Sequence, residues 1–243
     1  MFRLYLDAGH GTLAAGIHDP GAVSATGLRE CDVALAVVQK VKTILPKWID
    51  CKLSRTHHNS LNGIDARVAE ANDWPADLTL SLHCNSFTEP TANGSEILIY
   101  GTGGKAELYA SEIINRYCAA LGLYNRGIKV RTDLGILKKT NHPAVLLELA
   151  FLSNPRDELA LKMRQEDMAI AIADAVIVCA KIAGKYGGED NMKIETANVQ
   201  VGADKTVPAL LVDGVTYVPL RDIVDAIKPT VTWSSEHGAA VKL

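Results

Sequence analysis

The sequence lacks the features that mark secreted and membrane-spanning chains. Its five cysteines are odd in number, widely spaced and without a Cys-x-x-Cys pair, so we expect free thiols in a reducing compartment and no disulfide framework. No apolar run approaches the roughly 20 residues of a membrane-spanning helix, so no membrane insertion is expected. Arg3 and Asp7 interrupt the only early apolar run, and a secretory signal peptide is therefore not expected either.

An excess of charge of either sign is also missing. The 243 residues carry a net charge of -3, which gives no reason to expect a nucleic acid or an anionic membrane as partner. A substrate must then be recognised by local chemistry, and the sequence leaves the oligomeric state open. With 48% hydrophobic and 22% charged residues, the chain can bury one substantial core and at most a small second module.

Patterns typical of strands and helices follow one another over residues 1–184. The run at 144–147 is uninterrupted aliphatic, as expected of a strand that is covered on both faces. A long connection at 12–27 separates the first strand from the first helix, and such connections are often functional. Strands are predicted at 2–6, 48–54, 77–83, 95–100, 127–130 and 144–147, and helices at 30–45, 61–72, 105–121 and within 156–184.

Two histidines stand at the ends of predicted strands. His10 follows the first strand within Asp7-Ala-Gly-His-Gly11, where the glycines let the backbone pass close to a ligand. His83 ends the strand at 77–83 and belongs to its polar face. Sheets of α/β proteins bind their ligands at strand ends of this kind. Taken alone, His10 beside its glycines is also compatible with an ordinary loop residue.

Two glutamates are the matching acidic candidates. Glu30 opens the helix at 30–45, where a carboxylate commonly stabilises the helix dipole, so a purely structural role is the alternative. Glu148 ends the aliphatic run at 144–147. Burying a carboxylate there requires a cation, a hydrogen-bond network or a raised pKa, and each of these makes Glu148 a site candidate. The alternative for Glu148 is a rim carboxylate in water or paired with an arginine.

Four motifs occur in order along the chain, and each contains one of these histidines or glutamates. They are Asp7-Ala-Gly-His-Gly11, Gly27-Leu-Arg-Glu30, Ser81-Leu-His-Cys-Asn-Ser86 and Pro143-Ala-Val-Leu-Leu-Glu-Leu-Ala-Phe-Leu-Ser-Asn154. In order and spacing they resemble the motifs of the zinc-dependent N-acetylmuramoyl-L-alanine amidases, and Arg67–Asn72 is similar to an Arg-x-x-x-Ala-Asn segment of that family. The resemblance covers roughly residues 1–184, and four ordered motifs are far more specific than one.

The resemblance implies an α/β fold with a twisted mixed β-sheet flanked by helices, of the phosphorylase/hydrolase-like kind. It also implies one Zn²⁺ held by His10, Glu30 and His83, with Glu148 as the catalytic carboxylate. The chemistry of amide hydrolysis asks for the same set, because three protein ligands leave a position open on the metal. A second carboxylate that is not a ligand can then take the proton of water and pass it to the leaving nitrogen.

The substrate implied by the resemblance is bacterial peptidoglycan, cut at the amide between N-acetylmuramic acid and L-alanine. Asn85, after His83, and His142, before the strand of Glu148, are further candidates for contacting it. Without a signal peptide, the expected sources are a phage lysin or a mother-cell lysis enzyme that reaches the wall after release. One alternative is a wall-binding protein that kept the fold without catalysis. A Ser or Cys hydrolase is disfavoured, because no Gly-x-Ser-x-Gly motif occurs and Cys84 is expected to be a buried thiol.

The chain beyond residue 184 changes in composition. Residues 185–191 are predicted to be a linker, and residues 192–243 a small, mainly β module with one helix at 220–227. Asp213-Gly-Val-Thr-Tyr-Val-Pro-Leu-Arg-Asp222 resembles the stalk-type domain named after the amino-terminal part of copper amine oxidases, which suggests cell-wall targeting. No copper site is expected, because His237 is the only histidine after His142. His57 and His58 are interpreted as solvated loop residues. His18 lies in the long connection and could reach the site, although nothing in its spacing demands it.

Overall fold

The structure is a computed structural model that describes residues 1–12, 16–58, 63–187, 194–201, 205–212, 215–217, 232–234 and 238–240. The contacts between residues divide the chain into two units, Met1–Gly187 and Gly188–Leu243. All the histidines and glutamates proposed above for the metal and for catalysis lie in the first unit.

Strands and helices alternate along the first unit. The strands are β1 (Phe2–Ala8), β2 (Gly11–Thr12), β3 (His18–Asp19), β4 (Ile49–Leu53), β5 (Leu78–Asn85), β6 (Ser95–Ile99), β7 (Asn125–Val130) and β8 (Ala144–Phe151). The helices are α1 (Glu30–Ile44), α2 (Ile64–Asp73), α3 (Lys105–Leu121), α4 (Gly135–Lys139), α5 (Pro155–Met163) and α6 (Gln165–Ile182).

A six-stranded mixed sheet forms the centre of this unit, in the order β4-β1-β5-β8-β6-β7. The first four strands of that order are parallel to one another, whereas β6 runs antiparallel to β8 and β7 runs parallel to β6. The central strand β8 is almost fully buried. Its aliphatic residues therefore face protein on both sides, as the uninterrupted run predicted.

Helices cover both faces of the sheet, which confirms the expected α/β class. Alternate residues of β5, such as Leu78 and Leu80, join a large core with α1, α3 and α6. On the opposite face, Ala144 and Leu146 of β8 pack against α2 and α4. Because successive strand residues point to opposite faces, the polar residues of β5, with His83 at the end, lie on the face of α2 and α4.

The predicted elements of residues 1–184 are present, with shifted boundaries. Helix α1 ends at Ile44, just before Pro46, because proline cannot continue a helix. Helix α2 begins at Ile64, after Gly63 as its first cap residue. The short pairing of β2 with β3 and the helix α4 were not predicted, since neither is long enough to show a clear period. Among the described residues, no helix has the length and apolar character needed to cross a membrane.

The second unit contains strands in the described residues. β9 (Ile194–Val201), β10 (Lys205–Val212) and β11 (Val215–Tyr217) form an antiparallel sheet in the order β11-β10-β9, and β12 (Thr232–Ser234) pairs with β13 (Gly238–Ala240). The predicted turn at Asp213-Gly214, the predicted helix at 220–227 and His237 lie outside the described residues.

The first residues of the predicted linker belong to the first unit. Nζ of Lys185 lies 2.6 Å from Oδ1 of Asp77, and the ring of Tyr186 packs edge-on against Trp48. The division into 1–184, 185–191 and 192–243 stays a prediction, and these contacts indicate that a truncation should keep residues up to Gly187.

Candidate active site

The candidate site lies at the carboxyl ends of β1, β5 and β8. Asp7 of β1 pairs with Ser81 of β5, and two residues further along β5, His83 pairs with Glu148 of β8. Glu148 in turn stands opposite Glu96 of the antiparallel strand β6. Paired residues of neighbouring strands point to the same face. These five side chains therefore form a polar row on the face covered by α2 and α4.

His10 has a left-handed backbone conformation just beyond β1. Its φ of 57° is the only positive value of a non-glycine residue in the described part of the chain. L-residues adopt this conformation rarely, and the surrounding structure must hold it. Arg67 of α2 does so, because its Nη2 donates to the carbonyl oxygen of His10 at 2.5 Å and its Nη1 to that of Ala8 at 3.1 Å. Helix α2 thus fixes the turn that carries the first imidazole.

The ring of His10 is oriented by Asp19 of β3. Oδ2 of Asp19 lies 2.8 Å from Nδ1 of His10. Although partial burial opposes it, the hydrogen bond with His10 lowers the pKa of Asp19, which is therefore ionised. An ionised carboxylate only accepts, so Nδ1 of His10 carries a proton and Nε2 is the nitrogen left to act as a ligand. Local sequence patterns do not indicate this role, because Asp19-Pro20-Gly21 is typical of a turn.

Glu30 opens α1 with a carboxylate that is surrounded by donors. Its Oε2 accepts the backbone N–H of Ala22 at 2.8 Å, and its Oε1 accepts the backbone N–H of Cys84 at 3.0 Å. The same Oε1 lies 2.7 Å from Nδ1 of His83 and 3.1 Å from Nε2 of His10. The backbone N–H of Glu30 also donates to the carbonyl oxygen of Ala22. The first turn of α1 and the carboxylate are therefore held in one position.

These contacts set the charges of the cluster. Burial alone would raise the pKa of Glu30, but hydrogen bonds and charges from His10 and His83 outweigh it and lower the pKa far below its usual range. Burial alone would lower the pKa of His10, yet the carboxylates of Glu30 and Asp19 raise it to about 9. The two imidazoles and the ionised carboxylate of Glu30 can therefore hold protons or a cation around Oε1 of Glu30.

The donor set fits a zinc ion. One ligand atom each from His10, Glu30 and His83 lies within 4.8 Å of the others, and the two imidazole rings pack edge to face with centroids 4.9 Å apart. Two imidazoles and one carboxylate are a ligand set that Zn²⁺ accepts, and three protein ligands leave its fourth position open. The three residues come from the end of β1, the start of α1 and the end of β5. The fold therefore brings together the three residues that the motifs predicted as ligands.

Two glycines permit this close approach. A Cβ at Gly9 would lie 2.5 Å from the ring of His83, and a Cβ at Gly21 would lie 2.5 Å from Oε2 of Glu30 and 2.6 Å from the ring of His10. Gly21 also has a φ of 66°, which favours glycine. Neither position has room for a side chain, so both glycines are explained by the packing of the candidate ligand residues.

Glu148 lies beside these three residues and makes fewer contacts. Part of its side chain is exposed, but Oε2 is shielded from solvent and has no hydrogen-bond partner among the described residues. Burial raises the pKa of Glu148 to about 7, with the charge of His83 opposing the shift and that of Glu30 adding to it. Buried polar atoms without a partner are uncommon in folded proteins. A carboxyl group with a perturbed pKa beside a metal-binding cluster is a candidate for proton transfer.

Asn85 is engaged at the edge of the site. Its Nδ2 donates to Oε1 of Glu96 at 2.9 Å, and Nε of Arg126 donates to Oε2 of the same carboxylate at 2.9 Å. The guanidinium of Arg126 also lies over the ring of Phe151, 4.9 Å from its centroid. The negative charge of Glu96, which stands opposite Glu148, is therefore paired with the positive charge of Arg126. A substrate contact of Asn85 stays a prediction.

A buried ion pair between Arg67 and Asp7 lies next to the site. Nη1 of Arg67 lies 3.4 Å from Oδ1 of Asp7, and Oγ of Ser81 donates to Oδ2 of Asp7 at 2.6 Å. Burial alone would raise the pKa of Asp7, but Arg67 and Ser81 outweigh this effect and lower that pKa. Arg67 therefore joins Asp7 to the backbone of His10. Sequence reasoning placed Asp7 and Arg67 in motifs but did not assign them a role.

The remaining candidates lie away from the cluster. Nε2 of His142 lies 2.7 Å from Oγ1 of Thr79, and Thr79 pairs with Ala144 at the opposite end of β8 from Glu148. The structure does not bring His142 to the other candidates, and its contact with substrate stays a prediction. Cys84 is buried in the core with α1, as expected from its position after His83.

A cavity of about 270 Å³ opens beside the two imidazoles. Ile64 at the start of α2 and Ile136 of α4 supply its apolar walls. The polar lining comes from Asp7, His10, Asp19, Arg67 and His83. The cluster is therefore accessible to a small group of a ligand.

Comparisons with known proteins show the family of this chain. A family model described as N-acetylmuramoyl-L-alanine amidase matches residues 4–178. The chain is 33% identical to the endolysin of Bacillus phage SPP1 over an alignment of 196 residues that covers 76% of this chain and 68% of the endolysin. It is 31% identical over 166 residues to the sporulation-specific N-acetylmuramoyl-L-alanine amidase of Bacillus subtilis (strain 168), covering 67% of this chain and 61% of that protein.

Solved structures show the same likeness. The catalytic domain of CwlV, an N-acetylmuramoyl-L-alanine amidase from Bacillus (Paenibacillus) polymyxa var. colistinus, matches with a TM-score of 0.67 at 28% identity. The match covers 76% of this chain and 99% of that domain.

Proposed function

Since this chain belongs to the N-acetylmuramoyl-L-alanine amidase family and is a peptidoglycan amidase, we propose that it works with one Zn²⁺ held by His10, Glu30 and His83. Glu148 is the catalytic carboxylate in this proposal. The observation that carries it is the convergence of three ligand atoms within 4.8 Å beside a carboxylate oxygen that is buried and has no partner in the described residues.

Neighbouring side chains prepare two of the proposed ligand residues, His10 and Glu30, for binding zinc. Asp19 keeps the proton of His10 on Nδ1 and so leaves Nε2 to coordinate. Glu30 is ionised over the whole physiological range, because its pKa is lowered by the two histidines. Zn²⁺ bound here supplies a Lewis acid that polarises the amide carbonyl and makes water a better nucleophile at neutral pH.

Glu148 is proposed to move the proton. Hydrolysis transfers a proton from the attacking water to the nitrogen of L-alanine, and a carboxyl group with a pKa near neutrality can both accept and release it. Burial places the pKa of Glu148 at about 7, and its free Oε2 has no competing donor in the described residues. Glu30 is unsuited to this role, because its oxygens already accept two backbone N–H groups.

The setting proposed for this reaction is the bacterial cell wall. The relatives include a phage endolysin and a sporulation-specific amidase, so we infer a lytic enzyme that reaches peptidoglycan during phage release or mother-cell lysis. Residues 192–243 are proposed to be a wall-targeting module. A wall-binding protein without catalysis would not need the complete set of three ligands and a carboxyl group, and all four are present.

Mass spectrometry of the fragments released from purified cell walls tests this function directly. We expect stem peptides with a free amino terminus at L-alanine and glycan strands that have lost them, with no release after treatment with a chelator and recovery on adding Zn²⁺. Release at another bond would contradict the substrate assignment. Undiminished release by a protein shown to contain no metal would contradict the zinc assignment alone.

A further inference from the structure

A second group of metal-ligating side chains lies at the start of α1, next to the group formed by His10, Glu30 and His83. It comprises the thiol of Cys31, the carboxylate of Asp32 and the imidazole of His58, whose ligand atoms all lie within 4.8 Å of one another. We propose that these three side chains, with His18 as a fourth donor, form a second site for a divalent cation of the zinc and cobalt class. The proposed amidase chemistry does not use any of these four residues.

Two of the distances within the group match those of a tetrahedral site, and a third, to His18, is somewhat longer. Sγ of Cys31 lies 3.3 Å from Oδ1 of Asp32 and 3.9 Å from Nε2 of His18, and Nδ1 of His58 lies 3.5 Å from the same Oδ1 of Asp32. A tetrahedral ion with bonds of about 2.3 Å to sulfur and about 2.0 Å to nitrogen and oxygen holds its ligand atoms roughly 3.3–3.5 Å apart. The donors thus need only small shifts to bind one ion together.

Hydrogen bonds from two neighbouring arginines hold Asp32 and the backbone of Cys31 in place. Nε of Arg29 donates to Oδ2 of Asp32 at 2.7 Å, which leaves Oδ1 turned toward the thiol and the imidazole. Nη2 of Arg55 donates to the carbonyl oxygen of Cys31 at 2.7 Å. Supporting contacts of this kind orient ligands in established metal sites.

The two histidines of the group are tied to each other through Thr12. Its Oγ1 donates to the carbonyl oxygen of His58 at 2.6 Å, and Thr12 pairs with His18 between β2 and β3. One residue therefore positions both imidazole-bearing segments beside Cys31. The group is built from three segments of the chain that are held together by named contacts.

The chemistry of the group differs from that of the amidase centre. A thiolate and a carboxylate would supply two anionic ligands, and the imidazoles complete a set typical of zinc and cobalt. Binding transfers the proton of the Cys31 thiol to solvent. The thiol is fully buried, whereas the side chain of His58 is 45% exposed. A cation can therefore enter past the imidazole and reach the sulfur at the base.

A cation here would join the segments that support the first site. His18 is the neighbour of Asp19, which orients His10, and Cys31 is the neighbour of Glu30. The second cation would thus fix the connection at 16–27 onto the start of α1. We expect it to stabilise the fold around the amidase centre without taking part in hydrolysis.

Loading of the full chain with Co²⁺ tests the second site apart from the first. We expect two Co²⁺ per chain by elemental analysis and a near-ultraviolet thiolate-to-cobalt charge-transfer band, which only a cysteine ligand produces. Cys31→Ser should lose the band and one Co²⁺. His58→Ala, a change at a partly exposed side chain, should also lose one Co²⁺ and so guards against misfolding of the buried variant.

Two controls separate the sites. His83→Ala should lose the other Co²⁺ and keep the band, so failure of the amidase centre and failure of the second site give different results. Cys51→Ser changes a partly buried thiol of β4 outside the group and should keep the band and both ions. Absence of the band from the wild-type chain, or its persistence in Cys31→Ser, would overturn the proposal.

Discussion

The amino end of α1 and the carboxyl end of β8 each carry a glutamate near the same two histidines. The pKa values of these two carboxyl groups are shifted in opposite directions. Glu30 accepts two backbone N–H groups and contacts both imidazoles, so its pKa is lowered. Glu148 has an oxygen without a partner in the described residues, and burial raises its pKa to about 7. Both are carboxyl groups of the same residue type.

The difference lies in what surrounds each carboxylate. The carboxylate of Glu30 is surrounded by the backbone N–H groups of Ala22 and Cys84 and by two imidazoles, whereas Oε2 of Glu148 is shielded from solvent and has no hydrogen-bond partner among the described residues. An ionised, donor-rich carboxylate suits a metal ligand, and one that titrates near neutrality suits a proton carrier. The comparison therefore supports the two roles proposed for these carboxyl groups, and replacing each of them tests the proposal.

The largest effect is expected from Glu30→Gln. An amide binds Zn²⁺ poorly, and the neutral side chain also leaves two backbone N–H groups and two imidazoles with a weaker acceptor. We expect loss of bound zinc and of measurable hydrolysis, detected by elemental analysis and by release of wall fragments. A Glu30→Gln protein that keeps its zinc and its activity would show that the helix start is not the ligand.

Glu148→Gln should separate chemistry from metal binding. The amide keeps the shape of the side chain but cannot carry the proton, so we expect normal zinc content and a turnover lowered by about 10²-fold or more. Zinc content and the initial rate on a soluble muropeptide are measured on the same sample. Loss of zinc in this variant, together with its retention in Glu30→Gln, would reverse the two roles.

The same two substitutions should change stability in opposite directions in chelator-treated protein. The folded-state pKa of Glu148 lies above its ordinary value near 4.5, so its contribution is fully present at low pH and is lost as the pH rises through 7. At pH 8, Glu148→Gln should therefore raise the free energy of unfolding, by up to about 3 kcal/mol.

For Glu30 the sign is reversed, because its pKa is lowered in the fold. Its ionised form stabilises the fold above the ordinary value, and that contribution is lost as the pH falls. Glu30→Gln should thus be less stable than the wild type at pH 8, with a difference that shrinks toward pH 3. Urea unfolding of both variants at several pH values checks this, and equal shifts in the two variants would contradict the electrostatic comparison.

Asp19→Asn should weaken the centre without dismantling it. The amide can no longer hold the proton on Nδ1 of His10 as a charged acceptor does, and changes of this kind typically cost 10- to 100-fold in metal affinity. Competition with a chromogenic chelator measures the affinity. Asp50→Asn, at an exposed position of β4, is the control and should bind zinc like the wild type.

The smallest effect is expected from truncation after Gly187. The contacts of Lys185 and Tyr186 with the first unit are then kept, so zinc content and the rate on a soluble muropeptide should not change. Any loss should appear on whole cell walls, through lost local concentration. An equal loss on both substrates would show that the second unit is needed by the catalytic fold.

The sequence predicted the residues that end strands better than the contacts between segments. Strand ends and aliphatic runs are local patterns, so they indicate His10, His83 and Glu148 as candidates, and the order of motifs adds Glu30. Strand direction mattered as well, since His142 precedes the same strand that ends near Glu148 and therefore lies at its other end.

The contacts that orient the ligands depend on tertiary structure. Arg67 reaches the carbonyl oxygen of His10 across 57 positions of sequence, and Arg55 reaches that of Cys31 across 24. Glu96 faces Glu148 only because β6 enters the sheet antiparallel to β8. No periodicity of a single segment encodes these pairings, so they required the fold.

The place of β8 in the sheet also affects when activity can arise during synthesis. β8 is the last strand of the first unit to be made, yet it lies between β5 and β6. Strands β6 and β7 therefore leave the ribosome before the strand that joins them to β1 and β5. At about 5–20 residues per second, roughly 3 to 10 seconds of translation separate the end of β6 from the end of β8. A nascent chain of this protein cannot cut its substrate until nearly the whole first unit has emerged.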